Sequence, residues 1–204
     1  MATAYLQGIE AGGMLATAKH FPGHGDTATD THLDLAVIEH PRSRLDAVEL
    51  VPFRAVIDAG IDAVMSSHIR LPALDPTEGL PATLSRPILT GVLRQDLRFD
   101  GLVFTDSMSM HAISRRFPPA KAAAMAIGAG ADIVLDPPDP EAALGGIRDA
   151  VERGEIPSEQ VDRSVARILR AKARLGLHRV RTVDVEAVPA GLGGRTRQAV
   201  VVEI

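Results

Sequence analysis

The 204-residue chain has no cysteine and no tryptophan, and aromatic residues make up only 3% of it. Without cysteine it cannot form a disulfide, a thiolate zinc site or a cysteine nucleophile. The low aromatic content argues against a surface on which nucleic-acid bases stack. The 22 basic and 26 acidic residues give a net charge of −4, so no positive excess indicates nucleic acid or an anionic membrane as a partner.

Long hydrophobic runs are also absent. The longest, Ala122–Ala131, is rich in alanine and glycine and falls well short of the ~20 apolar residues that a transmembrane helix needs. Residues Met1–Glu10 lack the basic and apolar segments of a secretory signal peptide. We therefore expect neither a signal peptide nor a membrane span in this chain. With 46% hydrophobic and 24% charged residues, its composition is typical of a globular fold.

Short apolar segments alternate with helical patterns along the chain. The predicted strands are Met14–Ala18, Ala63–Ser66, Gly101–Thr105 and Asp132–Leu135. Strands that are apolar throughout and alternate with helices indicate an α/β fold with a parallel sheet covered by helices. A (β/α)₈ barrel has eight βα units of about 30 residues each. The pattern between residues 14 and 176 contains about four such units. The pattern itself leaves open a partial barrel or a small open sheet.

Several helix boundaries carry recognisable signals. Ser43 and Asp46 resemble a capping box, and Pro52 is expected to start a fresh helix that runs to Ala59. The last helix has apolar residues at helical spacing, with Ser158 as its N-cap and Gly176 as its stop. The intervening predicted helices are Ile88–Leu97, Pro119–Ile127 and Glu141–Val151.

The pattern changes after Gly176. Residues 177–204 are irregular and end in the strand-like segment Ala199–Val202. We therefore expect one domain over residues 1–176 and a linker or tail over 177–204, leading toward a further domain.

The loop after the first strand has the densest polar signal. In Lys19–Asp26, two glycines and a proline surround a histidine, which indicates a tight turn. Asp30 and His32 follow at a spacing of two, so in an extended segment both side chains lie on one face. A carboxylate there can orient an imidazole that transfers protons near neutral pH. The alternative is a capping aspartate beside a surface histidine.

A second polar motif follows the third strand. Asp106 begins the sequence Asp-Ser-Met-Ser-Met at the carboxyl end of that strand, where barrels and open α/β sheets place their sites. A carboxylate in this position can be the covalent nucleophile of a retaining glycosidase or, alternatively, the N-cap of the next turn. His68, after the second strand, is by itself more typical of a histidine that anchors a loop.

Three histidines, His20, His24 and His32, raise the hypothesis of a metal site. Their spacing fits neither the His-Glu-x-x-His motif nor a zinc finger. We therefore expect no metal and no other cofactor.

Taken together, Lys19–Gly25, the Asp30–His32 pair and Phe104–Met110 resemble glycoside hydrolase family 3, specifically its β-N-acetylglucosaminidase branch. The resemblance covers about residues 1–176. It implies a (β/α)₈ barrel, of which this chain supplies the C-terminal part.

The resemblance also implies roles for individual residues in the retaining hydrolysis of terminal β-linked N-acetylglucosamine. Asp106 matches the nucleophile, and His32 matches a general acid/base that is oriented by Asp30. Lys19 and His20 match positions that hydrogen-bond sugar hydroxyls. One further match, His68, is a polar position near the pocket and is expected to contact the substrate. The expected partner is a carbohydrate, either an oligosaccharide or a muropeptide that contains β-linked N-acetylglucosamine.

Two alternatives remain. A β-glucosidase or β-xylosidase of the same family is disfavoured, because those branches do not use the Asp-x-His pair. The second alternative is a non-catalytic fragment. Members of the family hold the sugar with an Asp and an Arg on upstream strands, and the residues before Met14 do not supply them. Such a fragment is expected to bind sugar weakly, to self-associate or to pair with an upstream half-barrel.

Overall fold

The computed structural model describes residues 1–27, 34–182 and 184–186. Its strands are Thr17–Phe21 (β1), Ala36–Val37 (β2), Ala63–Ser66 (β3), Ile69–Arg70 (β4) and Leu102–Phe104 (β5). Its α-helices are Ala2–Ala11 (α1), Arg42–Arg44 (α2), Val51–Asp58 (α3), His111–Ser114 (α4), Pro119–Ala129 (α5), Pro140–Glu152 (α6) and Ser158–Arg174 (α7). Two π-helical segments, Leu45–Glu49 and Pro87–Asp96, and a 3₁₀ turn, Ala82–Leu84, complete the elements.

The main sheet is parallel, with strand order β1-β3-β5. Ile133 extends it through a parallel bridge to Phe104, and β2 and β4 form a separate parallel pair. Helices connect the successive strands of the main sheet, as parallel pairing requires. The predicted α/β class is confirmed, and the three strands together with the bridge at Ile133 give about four βα units, half the number in a (β/α)₈ barrel.

Alternation along the strands gives the sheet two different faces. Val64 and Val103 lie side by side in register and are fully buried in the core that the helices cover. Met65 and Phe104, one position further on, are only half-buried. Because successive strand residues point to opposite faces, this second pair lies on the face away from that core, which corresponds to the interior of a barrel.

The predicted first strand was misplaced. Met14 is 58% exposed and precedes the strand, whereas β1 continues through Lys19 and His20 to Phe21. The side chain of Phe21 is fully buried, and its carbonyl accepts a hydrogen bond from Ser67 N at 2.9 Å, which holds the motif in the sheet. The predicted fourth strand, Asp132–Leu135, is reduced to the single bridge at Ile133.

Two predicted helix caps are wrong, for one physical reason. Ser43 lies inside α2, and Ser158 is the first helical residue of α7; the N-cap positions are Pro41 and Pro157, with no side-chain cap. Proline readily adopts the extended conformation of an N-cap residue, as the ψ values of 156° at Pro41 and 135° at Pro157 show, so a helix can begin directly after it without a capping hydroxyl. The predicted stop at Gly176 is confirmed, and its φ of +72° is one that glycine adopts readily.

A buried carboxylate joins the sheet to two helices at the end opposite to the polar motifs. The side chain of Asp132 is 1% exposed and accepts hydrogen bonds from Val103 N at 2.8 Å and Ser164 Oγ at 2.7 Å. It also pairs with Arg94 Nη2 at 2.6 Å and Arg167 Nη1 at 3.3 Å. Because this one carboxylate accepts hydrogen bonds from the sheet, from α7 and from the Pro87–Asp96 helix, Asp132 fixes both helices against the sheet.

The turn after β1 is shaped by a glycine. Gly23 has φ of +130°, and its N–H donates to the carbonyl of His20 at 2.9 Å. A Cβ atom at this position would lie 2.8 Å from Glu49 Cβ, closer than carbon atoms approach in folded proteins. By contrast, a Cβ atom on Gly25 would meet nothing within 4 Å. The turn therefore depends on the first of these two glycines.

None of the helices in the described ranges combines the length and apolarity needed to cross a bilayer.

Replacing Asp132 with Asn should lower the free energy of unfolding by about 2–4 kcal/mol, because Arg94 and Arg167 then lose a buried counter-charge. The control is Asp100→Asn, which removes a 75% exposed partner of Arg167 and should cost less than about 1 kcal/mol. Urea denaturation of both variants measures the difference. Equal losses would contradict a special role for Asp132.

Replacing Gly23 with Ala should lower the free energy of unfolding by about 1–3 kcal/mol, because the added methyl group meets Glu49 and the backbone conformation disfavours alanine. Gly25→Ala, in the same motif, should stay within about 0.5 kcal/mol of the unsubstituted protein. Thermal and urea denaturation test this pair, and a stable Gly23→Ala protein would contradict the predicted clash.

Candidate active site

Most of the predicted polar groups lie at one edge of the sheet. Lys19 and His20 are in the second half of β1, His68 follows β3, and Asp106 follows β5. Because β1, β3 and β5 are parallel, their carboxyl ends meet at the same edge. Sequence reasoning placed each group after or near the end of its strand, and the sheet brings these ends together.

Asp106 is held in a defined orientation at this edge. Its side chain is 18% exposed, and Oδ1 accepts a hydrogen bond from Ser107 N at 2.8 Å. The other oxygen, Oδ2, lies 3.6 Å from His20 Nε2. One carboxylate oxygen is thus engaged by the backbone, while the other faces a half-buried imidazole.

The two histidines of the first motif lie next to each other. The rings of His20 and His24 meet edge to face with their centroids 6.1 Å apart. His24 Nδ1 lies 3.2 Å from the hydroxyl of Thr27, which also contacts the carbonyl of His24 at 3.3 Å. Lys19, the preceding residue on β1, is exposed. Of the residues of this motif, His20 is the one whose ring is shown beside the Asp106 carboxylate, at 3.6 Å.

His68 is fully buried beneath the Asp106 segment. Its Nε2 lies 2.9 Å from the carbonyl of Ser107, and its Nδ1 lies 2.9 Å from Thr83 Oγ1. These contacts occupy both ring nitrogens. The geometry favours a supporting role for His68 over the predicted contact with the sugar.

The protonation state of His68 follows from its surroundings. Burial lowers the pKa of His68 below its usual value, although the bond to the Ser107 carbonyl and the charge of Asp106 act in the opposite direction. The neutral ring must donate from Nε2, because the Ser107 carbonyl can only accept. The Thr83 hydroxyl has a single proton and lies within hydrogen-bond distance of both Nδ1, at 2.9 Å, and the Ser67 carbonyl, at 3.0 Å.

Asp30 and His32 lie outside the described residues, so the predicted pairing of these two side chains stays a prediction. The next described residue is Asp34, whose carboxylate pairs with Arg116 at 2.5 Å. Arg116 follows α4, the short helix that comes after the Asp106 segment.

Among the described residues, Asp26, His40 and Glu49 form a group of potential metal ligands. Asp26 Oδ2 lies 2.5 Å from His40 Nε2, and Arg44 pairs with Glu49 Oε1 at 2.5 Å. The guanidinium group of Arg44 also lies 4.0 Å from the Asp26 carboxylate. An arginine thus already supplies positive charge to both carboxylates.

Sequence reasoning missed one carboxylate near Asp106. Asp136 follows the bridge at Ile133, and its Oδ2 accepts hydrogen bonds from the hydroxyls of Ser107 and Ser109 at 2.7 Å each. The signal was available, because Asp136 follows the fourth predicted strand just as Asp106 follows the third.

The chain is similar to known glycosyl hydrolases. The family model described as "Glycosyl hydrolase family 3 N terminal domain" matches residues 1–171. "Beta-hexosaminidase A" of Pseudoalteromonas piscicida is 35% identical over 191 residues, which cover 84% of this chain and 32% of that protein. "Beta-N-acetylglucosaminidase/beta-glucosidase" of Cellulomonas fimi is 36% identical over 187 residues, covering 88% and 33% respectively.

A solved structure agrees with these matches. The family 3 β-N-acetylglucosaminidase of Paenibacillus sp. str. FPU-7 superposes with a TM-score of 0.85 at 44% identity, covering 90% of this chain and 35% of that one. The chain spans about a third of the length of the curated relatives named above. The resemblance inferred from the sequence motifs is confirmed: the chain belongs to glycosyl hydrolase family 3.

Proposed function

We propose that this site takes part in retaining hydrolysis of terminal β-linked N-acetylglucosamine residues, with Asp106 as the nucleophile. The observation that carries the proposal is the Asp106 carboxylate, partly exposed at the end of β5, with one oxygen bound by the backbone and the other beside His20. The names of the relatives, beta-hexosaminidase and β-N-acetylglucosaminidase, support the choice of sugar.

In the first step, a carboxylate oxygen of Asp106 attacks the anomeric carbon as the bond to the leaving oxygen breaks. Oδ2 is suited to this attack, because Oδ1 already accepts the N–H of Ser107. The imidazolium of His32 gives its proton to the departing oxygen, and Asp30 orients the ring. The product is a covalent glycosyl-enzyme.

In the second step, water attacks the same carbon while neutral His32 accepts a proton from it. The bond to Asp106 breaks, and the free carboxylate and the protonated His32 are restored. Two inversions at one carbon retain its configuration. In this proposal Lys19 and His20, at the same edge of the sheet as Asp106, hydrogen-bond the sugar hydroxyls during both steps.

A second candidate activity is β-glucoside hydrolysis by the same residues. The relative from Cellulomonas fimi supports it, because both activities stand in that protein's name. Aryl β-N-acetylglucosaminide and aryl β-glucoside, compared by kcat/KM, distinguish the two. We expect the N-acetylated sugar to be preferred.

Since the chain spans about a third of its relatives' length, activity is best measured both in this chain and in the full polypeptide of its reading frame. Turnover by the full polypeptide alone supports an enzyme whose site needs groups outside these residues. Absence of turnover from both supports the alternative of a non-catalytic, sugar-binding chain.

In the full polypeptide, Asp106→Asn should reduce turnover by several orders of magnitude, because an amide cannot form the glycosyl-enzyme. Asp100→Asn is the matched control: the same substitution on the same βα unit, at the opposite end of β5, should leave turnover unchanged. A fluorinated N-acetylglucosaminyl substrate should label Asp106, as peptide mapping reports. A label on any other carboxylate would refute the assignment.

His32→Ala should impair substrates with poor leaving groups far more than activated aryl glycosides, which depart without protonation. Asp30→Asn should cause a smaller loss with the same selectivity, because it disturbs only the orientation of the ring. Kinetics with a series of aryl leaving groups measure this dependence. Equal losses across the series would indicate that His32 only stabilises its loop.

A further inference from the structure

We propose that Asp136 is a positioning residue: its carboxylate, through Ser107, fixes the orientation of the Asp106 side chain. This inference rests on the proposed function, because it concerns the reactivity of Asp106. Asp136 does not contact the Asp106 carboxylate in this arrangement. It acts through the hydroxyl of the residue that follows the nucleophile.

The first observation is a three-membered hydrogen-bond cluster. Asp136 Oδ2 lies 2.7 Å from Ser107 Oγ and 2.7 Å from Ser109 Oγ, and the two hydroxyl oxygens lie 2.7 Å from each other. Each hydroxyl has one proton, and an ionised carboxylate oxygen can accept both. These two bonds also lower the pKa of Asp136, so the acceptor is kept in its charged form.

The second observation is that Ser107 is held through three different groups. Its N–H donates to Asp106 Oδ1 at 2.8 Å, its carbonyl accepts from His68 Nε2 at 2.9 Å, and its hydroxyl donates to Asp136. His68 holds the residue from the buried side, and Asp136 holds it from the exposed side. Since the Ser107 N–H fixes one oxygen of Asp106, the pose of the nucleophile depends on both anchors.

The third observation is that Asp136 is itself fixed against the same segment. Leu135, its neighbour, donates its N–H to Thr105 Oγ1 at 2.8 Å and accepts from Met108 N at 2.9 Å. Asp136 has φ of +48°, a conformation that most L-residues avoid and that aspartate tolerates better than most. The backbone at this position aims the carboxylate at the serines rather than away from the sheet.

This arrangement gives a specific kinetic expectation. A small displacement of a nucleophile raises the free energy of the transition state far more than it weakens the binding of substrate. A shift of about 1 Å can lower the rate by about 100-fold. Loss of the Asp136 anchor should therefore lower kcat by about tenfold or more while KM changes by less than about twofold. A residue that contacted the sugar directly would instead raise KM.

The deletion variant is Asp136→Gly rather than alanine, because glycine adopts a positive φ without steric cost. The conservative variant is Asp136→Asn, whose amide oxygen accepts the same hydroxyl protons without the charge. The partner variant is Ser107→Ala, which keeps the N–H bond to Asp106 but removes the hydroxyl. Asp162→Asn on α7 serves as a distant exposed control.

The experiment measures kcat, KM and the rate of labelling of Asp106 by a fluorinated substrate in the full polypeptide. We expect Asp136→Gly to lower kcat and the labelling rate in parallel. The kcat of Asp136→Asn should remain within about threefold of that of the unsubstituted enzyme. The losses of kcat caused by Asp136→Gly and Ser107→Ala should not be additive when the two substitutions are combined. Thermal denaturation confirms that each variant is folded, and Ser107→Ala tests the same bond if Asp136→Gly does not fold.

The outcomes separate this inference from the proposed function. If the unsubstituted enzyme is not labelled at Asp106, the proposed function fails, and the inference fails with it. If Asp106 is labelled but Asp136→Gly retains its kcat, only the positioning role is overturned. A rise in KM without loss of kcat, or an Asn variant as impaired as the Gly variant, would also overturn it.

Discussion

Parallel pairing of β1, β3 and β5 is the constraint on which the rest of this structure depends. A parallel sheet points all its strands in one direction, so the residues that follow them collect at one edge. The Lys19–His20 pair, His68 and Asp106 come from distant parts of the sequence and share a site for this reason. The opposite end is fixed by the buried carboxylate of Asp132, which joins the sheet to its helices.

The predicted site residues at the carboxyl edge of the sheet differ in their exposure. Lys19 is exposed and His20 is half-buried. His68 is buried and neutral, and its ring holds the Ser107 carbonyl from below. A charged histidine in that position would require costly desolvation, whereas the neutral ring contacts the Asp106 segment without placing a second charge beneath Asp106.

Membership of glycosyl hydrolase family 3 gives this arrangement its chemical context. A carboxylate nucleophile must be both reactive and immobile, because the enzyme gains rate only from groups that are correctly placed in the transition state. In the role proposed for Asp106, the contacts of Ser107 with His68, after β3, and with Asp136, beyond Ile133, would meet the second requirement. Neighbouring strands of the sheet thus help to place a residue at the end of β5.

The sequence by itself determined the α/β class, the four βα units and the family, because apolar strand patterns and the Lys19–Gly25 motif are local signals. It also pointed to Asp106 through its place after a buried strand. Only the tertiary structure decided that β1 extends to Phe21, that prolines rather than Ser43 and Ser158 begin two helices, and that His68 is buried. The contact of Asp136 with Ser107 spans 29 positions in the chain, and such a pairing depends on strand register, which no local pattern specifies.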